Sequence, residues 1–151
     1  MPTIHQPDVT PMQLANSLRP TITRLARRLR QADRTGLGPT MTAALASVAK
    51  HGGPTHGELA AMEQVAPPTI TAVVGKMEAL GFVTRETDPS DRRVTRIRIT
   101  PLGVDQLDEV RTRRTSWLAS QLEALDDDER QCLAAAADVL AKLVQAAEGS
   151  D

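Results

Sequence analysis

The sequence predicts a mainly α-helical fold with one small β-hairpin, and three observations support this prediction. Apolar residues recur at every third or fourth position over most of the chain, which is the period of an amphipathic helix. Between residues 82 and 100 the period shortens to two, which is typical of paired strands. Several segments open with a capping residue followed by Pro and close at Gly, so we expect a series of separate helices.

The composition is that of a folded domain. Of 151 residues, 40% are hydrophobic and 25% are charged, which excludes a disordered tail. An aromatic content of 1% argues against binding to single-stranded nucleic acid, because that mode needs stacking platforms. A single cysteine excludes an internal disulfide, and neither a signal peptide nor a membrane span is recognisable. We therefore expect a cytoplasmic protein, and no motif in the chain predicts a cofactor.

Charge is distributed unevenly, although the net charge is only −1. Residues 1–122 contain 16 Lys and Arg against 11 Asp and Glu, whereas residues 123–151 contain 2 against 8. The surface field depends on where the charges lie rather than on their total. The first four fifths of the chain can therefore bind a polyanion.

The first helix is predicted to follow a loose arm at residues 1–9. Thr10 is a suitable N-cap and Pro11 fits the first turn, and the apolar spacing continues to about Arg34. Pro20 lies inside this segment, where it predicts either a kink or a late start after Ser17.

The next two helices are short. Thr40 is predicted to cap the second helix, which ends at the Gly-Gly-Pro sequence of residues 52–54. The third helix follows at once, because Thr55 and Glu58 form a capping box.

A fourth helix is predicted to begin at Pro67 and Pro68, which suit only a first turn, and to end at Gly81. One side of this helix is apolar, and the opposite side carries small residues and a single Lys. The apolar face comprises Ile70, Val73, Val74, Met77 and Leu80. The outward arc comprises Pro68, Thr69, Thr71, Ala72, Gly75 and Lys76.

The hairpin and two long helices complete the chain. Two strands, near 82–85 and 94–100, flank a basic tip at residues 88–93. Thr100 and Pro101 repeat the cap-plus-proline signal and open a helix of about 24 residues. The last helix begins at the acidic capping cluster 126–129, where acid suits the positive helix end.

Two short helices, the second with a narrow outward face, followed by a basic hairpin form a winged helix-turn-helix arrangement. A helix enters the major groove, about 12 Å wide, only if its exposed face is not bulky. Arginines on a hairpin can reach phosphates or a flanking minor groove. The order and spacing of these parts therefore favour binding to duplex DNA.

The same residues resemble the MarR family of bacterial transcription regulators. The resemblance extends over nearly the whole chain and is carried by four motifs: Gly57-Glu58-Leu59-Ala60, Lys76-Met77-Glu78-Ala79-Leu80-Gly81-Phe82-Val83, Asp88-Pro89-Ser90-Asp91-Arg92-Arg93 and Thr100-Pro101-Leu102-Gly103. It implies a winged helix-turn-helix lobe at 40–100 and a helical dimerisation region at 10–35 and 101–148. It also implies a homodimer that binds pseudo-palindromic DNA.

The resemblance further implies which residues contact DNA. In the fourth helix these are Pro67, Pro68, Thr69, Thr71, Ala72 and Lys76, and in the wing they are Asp91, Arg92 and Arg93. The wing Asp is expected to orient the Arg. Arg96 is added to the predicted contacts because it extends the basic surface of the hairpin. Ala72 departs from the family, in which this position often holds a basic or polar side chain, so phosphate anchoring from the helix is reduced.

A homodimer is also expected from the residues alone. The terminal helices carry apolar stripes longer than a lobe of about 60 residues can cover, and a second copy is the simplest cover. The resemblance adds a regulatory scheme, in which a repressor leaves DNA when a small molecule, such as a phenolic or other aromatic acid, binds between the helices and the lobe.

Several alternatives compete with these interpretations. The same fold can bind a protein instead of DNA, whereas an enzyme is not expected because no catalytic motif is present. The arginines of the first helix are interpreted as a solvated face, and the two histidines His51 and His56 are not interpreted as metal ligands. Cys132 is interpreted as an apolar filler of the last helix rather than a redox switch, and Trp117 as a core or interface anchor.

Overall fold

The computed structural model describes residues 9–33 and 35–149. Six helices and two strands lie within these residues, which confirms the mainly α-helical fold with one hairpin. The predicted arm, apart from Val9, and the predicted helix end at Arg34 lie outside the described residues. In chain order the elements are α1 (Pro11–Ala32), α2 (Pro39–His51), α3 (His56–Met62), α4 (Pro67–Ala79), β1 (Val83–Thr87), β2 (Thr95–Ile99), α5 (Pro101–Leu122) and α6 (Asp127–Glu148).

The α1 helix begins at Pro11, as its cap predicts. The Thr10 hydroxyl accepts a hydrogen bond from the Gln13 N–H (3.3 Å), and the Gln13 side chain accepts one from the Thr10 N–H (3.0 Å). The predicted late start after Ser17 is wrong, because the helix is continuous through Pro20. Proline removes only its own N–H from the helix, and the bonds on either side keep the segment helical.

The α2 helix begins two residues earlier than predicted. Gly38 is its N-cap and Pro39 its first residue, so the prediction that Thr40 caps this helix is wrong. Proline fits that position because the first helical N–H has no partner in any case. The predicted end is confirmed: Gly52 has φ +64° and its N–H donates to the Val48 carbonyl (3.2 Å).

The chain divides into two compact units, with the boundary between Arg114 and Thr115 inside α5. The first unit contains a hydrophobic core between α2, α3, α4 and the hairpin. Each large aliphatic side chain that is fully buried there contributes roughly 1.5–3 kcal/mol to folding. The core residues are Ala44, Leu45, Val48, Leu59, Ala60, Ile70, Val74, Met77, Phe82, Val83, Ile97 and Leu107.

The two strands form an antiparallel hairpin in which Val83 pairs with Ile99 and Thr87 with Thr95. Ile97 is fully buried between two arginines that point to the other face, which confirms the predicted alternation in β2. The hairpin therefore contributes one face to the core and leaves its other face polar.

The turn between α3 and α4 contains a residue in the left-handed region that is not glycine. Gln64 has φ +52°. Its N–H donates to the Ala61 carbonyl (3.2 Å), and the Val65 N–H donates to the Ala60 carbonyl (3.1 Å). These two bonds close the end of α3 and hold Gln64 in a conformation that side chains disfavour.

Replacing Gln64 with Gly is expected to raise the free energy of unfolding by up to about 1 kcal/mol. Glycine relieves the left-handed strain but adds entropy to the unfolded chain, so the gain is partial. Urea denaturation of both proteins measures the difference, and Gln64→Ala is the control because it keeps a Cβ. A less stable Gly variant would contradict the assigned turn conformation.

The α5 helix begins with the predicted cap-plus-proline signal. The Thr100 hydroxyl donates to the Gly81 carbonyl (2.6 Å) and accepts from the Gly103 N–H (3.1 Å). Gly103 is buried, and a Cβ at this position would overlap the Phe82 carbonyl and lie 2.8 Å from Cγ1 of Ile99. The first turn of α5 therefore packs directly on the backbone of the segment that leads into β1.

A buried carboxylate joins the end of α1 to α5. Asp33 is 4% exposed, and its Oδ2 accepts from Nε (3.0 Å) and Nη2 (2.6 Å) of Arg114. Its Oδ1 accepts from the Thr35 hydroxyl (3.1 Å), and its carbonyl accepts from Arg113 (3.2 Å). Burial raises the pKa of Asp33, but the hydrogen bonds from Arg114 and Thr35 outweigh it and leave the pKa below its usual range.

The long helices α1 and α6 expose apolar side chains. None of the residues of α1 is buried, although Leu14, Ile22 and Leu25 lie along one side of it. Cys132 is exposed on α6, so the prediction that it fills a packed interior is wrong for the single chain. Across residues 9–33 and 35–149, none of the helices combines the length and the apolar character that a bilayer crossing needs. On α6 the exposed large apolar residues are Leu133, Val139, Leu140, Leu143 and Val144.

Candidate nucleic-acid interface

The outward side of α4 is the first part of the candidate interface. Ile70, Val74 and Met77 anchor this helix in the core, so the opposite side faces solvent. All six residues predicted to contact DNA from this helix are exposed: Pro67, Pro68, Thr69, Thr71, Ala72 and Lys76. The predicted orientation of α4 is confirmed for its buried residues, whereas on the predicted apolar face Val73 is half-buried and the C-cap Leu80 is 49% exposed.

The chemistry of this side suits a groove rather than a protein core. Its residues are short, and the Thr71 hydroxyl donates to the Pro67 carbonyl (3.0 Å), which leaves the oxygen able to accept and the methyl group exposed. Lys76 supplies the one positive charge. A helix with such a face can approach base edges closely, because no bulky side chain intervenes.

The wing tip is the second part of the candidate interface. Arg93 is 91% exposed at its side chain, and Asp91 holds it through Nε to Oδ1 (3.2 Å) and Nη2 to Oδ2 (3.3 Å). The Arg93 N–H also donates to Oδ1 of Asp91 (3.0 Å). These bonds from Arg93 lower the pKa of Asp91. Arg92 is exposed, and among the described residues it has no ion-pair partner.

The base of the wing depends on a carboxylate that lies in one of the predicted motifs but was not predicted as a site residue. Asp88 is 7% exposed, and its Oδ1 accepts from the Ser90 hydroxyl, from the Ser90 N–H (2.8 Å) and from the Asp91 N–H (3.3 Å). The Ser90 hydroxyl and the Arg96 guanidinium, each donating to Asp88, hold its pKa well below the usual range. The sequence signal was the Asp-Pro-Ser-Asp turn, in which an Asp side chain binds N–H groups two and three residues later.

Arg96 is positioned differently from the other wing arginines. Its side chain is 34% exposed, compared with 91% for Arg93. Its Nε donates to Oδ2 of Asp88, and its Nη1 donates to the Gly53 carbonyl (3.1 Å). The structure therefore turns this predicted DNA contact inward, towards the turn before α3.

A salt bridge fixes the wing to α4. Nε of Arg85, in β1, lies 3.1 Å from Oε2 of Glu78, in the last turn of α4. Both side chains are partly exposed, so the pair contributes little to stability on its own. It is nevertheless a direct contact between α4 and the hairpin that carries the wing.

Asp88→Asn is expected to destabilise the protein at neutral pH and to lose this effect in acid. Because the folded pKa of Asp88 lies below its unfolded value, its stabilising effect is complete above the unfolded pKa of about 3.9 and disappears as pH falls through the folded pKa. Denaturant unfolding of both proteins between pH 7 and pH 2 measures the difference in free energy. A difference that stays constant over this range would contradict the charged hydrogen-bond network at Asp88.

Comparisons with known proteins agree with this geometry. A family model described as the MarR family matches residues 37–95, from the loop before α2 to the start of β2. The HTH-type transcriptional regulator ML2140 of Mycobacterium leprae is 34% identical over 133 residues, which cover 87% of this chain and 93% of the relative. The HTH-type transcriptional repressor MdtR of Bacillus subtilis is 32% identical over 120 residues, covering 80% of this chain and 76% of the relative.

A solved structure extends the likeness to three dimensions. A MarR family protein from Bacillus stearothermophilus is 29% identical, with a TM-score of 0.71 over 89% of this chain and 94% of the other. The structural likeness thus extends over most of both chains. The chain belongs to the MarR family of winged helix-turn-helix transcriptional regulators.

Proposed function

We propose that this protein binds duplex DNA through α4 and the wing, and regulates transcription as a homodimer. The observation that carries the proposal is the exposed small-residue side of α4, joined by the Glu78–Arg85 salt bridge to a wing whose Arg93 is extended and oriented by Asp91. Membership of the MarR family supports the same conclusion. Residues 40–100 form the DNA-binding lobe in this proposal.

The two parts of the interface have separate tasks. The α4 helix enters the major groove, where Thr71, Ala72 and Lys76 lie nearest the base edges and phosphates. Arg93 reaches a flanking minor groove or phosphate, and its hydrogen bonds to Asp91 fix the orientation of its guanidinium. Arg92 adds charge without a protein partner among the described residues, so it is free to neutralise a phosphate.

The dimer is supported by the exposed apolar residues of the long helices. On α1, Leu14, Ile22 and Leu25 are between 43% and 48% exposed, and on α6, Leu143 and Val144 are 60% and 58% exposed. A soluble single chain rarely leaves such stripes uncovered. We assign 10–35 and 101–148 to a dimerisation region, and a two-fold dimer then presents two lobes to half-sites about one helical turn apart.

The regulatory scheme rests on the family. MdtR of Bacillus subtilis is named a repressor, and repression is the simplest action for a DNA-binding dimer in the cytoplasm. A small molecule releases the DNA if it binds the free form more tightly than the bound form. We propose a small aromatic or phenolic acid as the effector class.

The function is tested by selecting bound fragments from fragmented genomic duplex DNA with the purified protein and footprinting the best fragment. We expect protection of a pseudo-palindrome and a linear fall of log affinity with log salt. Ala72→Glu is the test variant. A carboxylate on the outward side of α4 is repelled by the DNA phosphates, so we expect this variant to select no fragments.

Arg111→Gln is the control, because it changes the net charge by the same −1 at an exposed side chain of α5 that is not among the proposed contacts. The proposal fails if no fragment is enriched, or if Ala72→Glu selects the same fragments as the parent. A winged helix that binds a protein partner instead of DNA would give only weak retention of duplex, with no sequence preference.

A further inference from the structure

The β2 strand is bonded to the turn at residues 52–54, which joins α2 to α3. The Ile97 N–H donates to the Pro54 carbonyl (2.9 Å), so Pro54 takes the place that a residue of a third strand would have in the sheet. The flanking residues Arg96 and Arg98 leave the strand on its polar face, and both guanidinium groups reach carbonyl oxygens of the same turn. Three successive residues of β2 therefore hold three successive carbonyls.

The turn has the backbone that this arrangement needs. Gly52 and Gly53 have φ values of +64° and +114°, which side chains rarely adopt. A Cβ at Gly53 would lie 2.8 Å from the Arg98 guanidinium. The glycines thus leave room for the arginines and turn the carbonyls of both residues towards β2.

Arg96 also connects the turn to two carboxylates. Its Nε donates to Asp88 at the base of the wing, and its Nη1 lies 3.9 Å from Oε2 of Glu58. Glu58 is part of the α3 capping box, in which its Oε2 accepts from the Thr55 N–H (2.7 Å). One guanidinium therefore joins the turn before α3, the first turn of α3 and the wing.

The connection continues to the wing tip. Asp88 binds Arg96 through Oδ2 and binds the Asp91 N–H through Oδ1 (3.3 Å). Asp91 in turn binds the backbone and side chain of Arg93. A continuous set of hydrogen bonds runs from the Gly53 carbonyl to the exposed Arg93 guanidinium.

We propose that Arg96 is a positioning residue that holds the wing at a fixed place relative to the helix-turn-helix, rather than a residue that contacts DNA phosphate. Arg96 donates to Asp88 and to the Gly53 carbonyl at the same time. The planar guanidinium can do this because its N–H groups point in fixed, different directions, and a lysine ammonium cannot replace it. The effect on DNA affinity rests on the function proposed above. The effect on the order of the wing does not depend on it.

Two variants separate positioning from phosphate contact. Arg96→Lys keeps the charge but loses the fork, and we expect it to weaken duplex binding by roughly five- to tenfold. Asp88→Asn removes a negative charge near DNA, which by Coulomb attraction alone should strengthen binding. The Asn amide would instead place a donor against Arg96 whenever its oxygen accepts from Ser90, so we expect binding to weaken by roughly tenfold.

The double variant tests whether both residues act through one contact. If Arg96 and Asp88 work as a pair, Arg96→Lys with Asp88→Asn should bind little more weakly than either single variant. Arg111→Lys and Asp108→Asn form the matched control, because this pair lies on α5 at 3.2 Å and is well exposed. Both control variants should bind DNA within about twofold of the parent.

A measurement without DNA tests the same proposal independently. We expect hydrogen–deuterium exchange at residues 88–94 to be at least several-fold faster in Arg96→Lys and Asp88→Asn than in the parent and in the α5 controls. Circular dichroism checks that each variant is folded, and if Arg96→Lys does not fold, Asp88→Asn carries the test.

The outcomes distinguish the two proposals. Faster exchange in the wing with no duplex binding by any protein would support the positioning role and reject the proposed function. Unchanged exchange, together with parent-like DNA affinity in Arg96→Lys and tighter binding in Asp88→Asn, would overturn the positioning role and make Arg96 a phosphate contact.

Discussion

Arg93→Ala is expected to weaken duplex binding by roughly tenfold or more while leaving the fold intact. The Arg93 side chain is 91% exposed and its only side-chain partner among the described residues is Asp91, so the core does not depend on it. If Arg93 neutralises a phosphate, the slope of log affinity against log salt should also fall by about 0.9. Fluorescence anisotropy with a selected duplex at several salt concentrations measures both quantities.

Arg111→Ala is the control for the Arg93 experiment, because it removes the same charge from an exposed position on α5. It should change affinity by less than about twofold, as expected for a distant surface charge. Equal losses in the two variants would mean that net charge, and not the wing tip, determines binding. An Arg93→Ala protein with parent affinity at every salt concentration would reject the wing contact.

Gly103→Ala is expected to lower the free energy of unfolding by about 2 to 4 kcal/mol. The added methyl group would overlap the Phe82 carbonyl and lie 2.8 Å from the Ile99 side chain. A side chain can move aside, but the Phe82 carbonyl also accepts from the Thr100 N–H (2.9 Å) and is part of the backbone, so the first turn of α5 must shift. Urea denaturation at a fixed protomer concentration measures the loss, because the proposed dimerisation would couple stability to concentration.

Gly75→Ala is the matched control for Gly103→Ala, because both glycines lie in helices but a Cβ at Gly75 would meet nothing within 4 Å. Alanine has the better helix propensity, so this variant should be more stable than the parent by about 0.5 to 1 kcal/mol. Opposite signs for the two substitutions would support the close approach at Gly103. A stabilising effect at both positions would contradict it.

The features that the sequence predicted best are local ones. The capping boxes at Thr55 and Asp126 and the prolines at Pro11 and Pro67 specify helix starts within one turn of chain, so pattern alone located them. The orientation of α4 followed in the same way from one apolar face. The start of α2 was misplaced because a capping Thr and a first-turn Pro lie side by side there, and the Pro decided the boundary.

Contacts between residues far apart in the chain could not be predicted from local sequence patterns. Arg96 was predicted as a DNA contact because it follows the basic wing, yet its partner Gly53 lies 43 residues earlier in the chain. Thr100-Pro101-Leu102-Gly103 was noticed as a motif, but only the fold shows that Gly103 packs on the Phe82 backbone. The exposure of Cys132 was missed because its helix has an apolar stripe, and a stripe does not reveal whether its own chain or a second copy covers it.

Affinity cleavage shows whether α4 and the wing bind the same duplex. The chain has one cysteine, so Cys132→Ser gives a background in which Ala79→Cys, at the exposed C-terminal end of α4 and outside the predicted contacts, or Arg92→Cys can each carry an iron chelate that cuts DNA nearby. On one selected duplex, we expect cuts from position 79 at the major groove of each half-site and cuts from position 92 about half a helical turn further out. Cleavage from only one of the two positions, on a duplex that both conjugates bind, would contradict it.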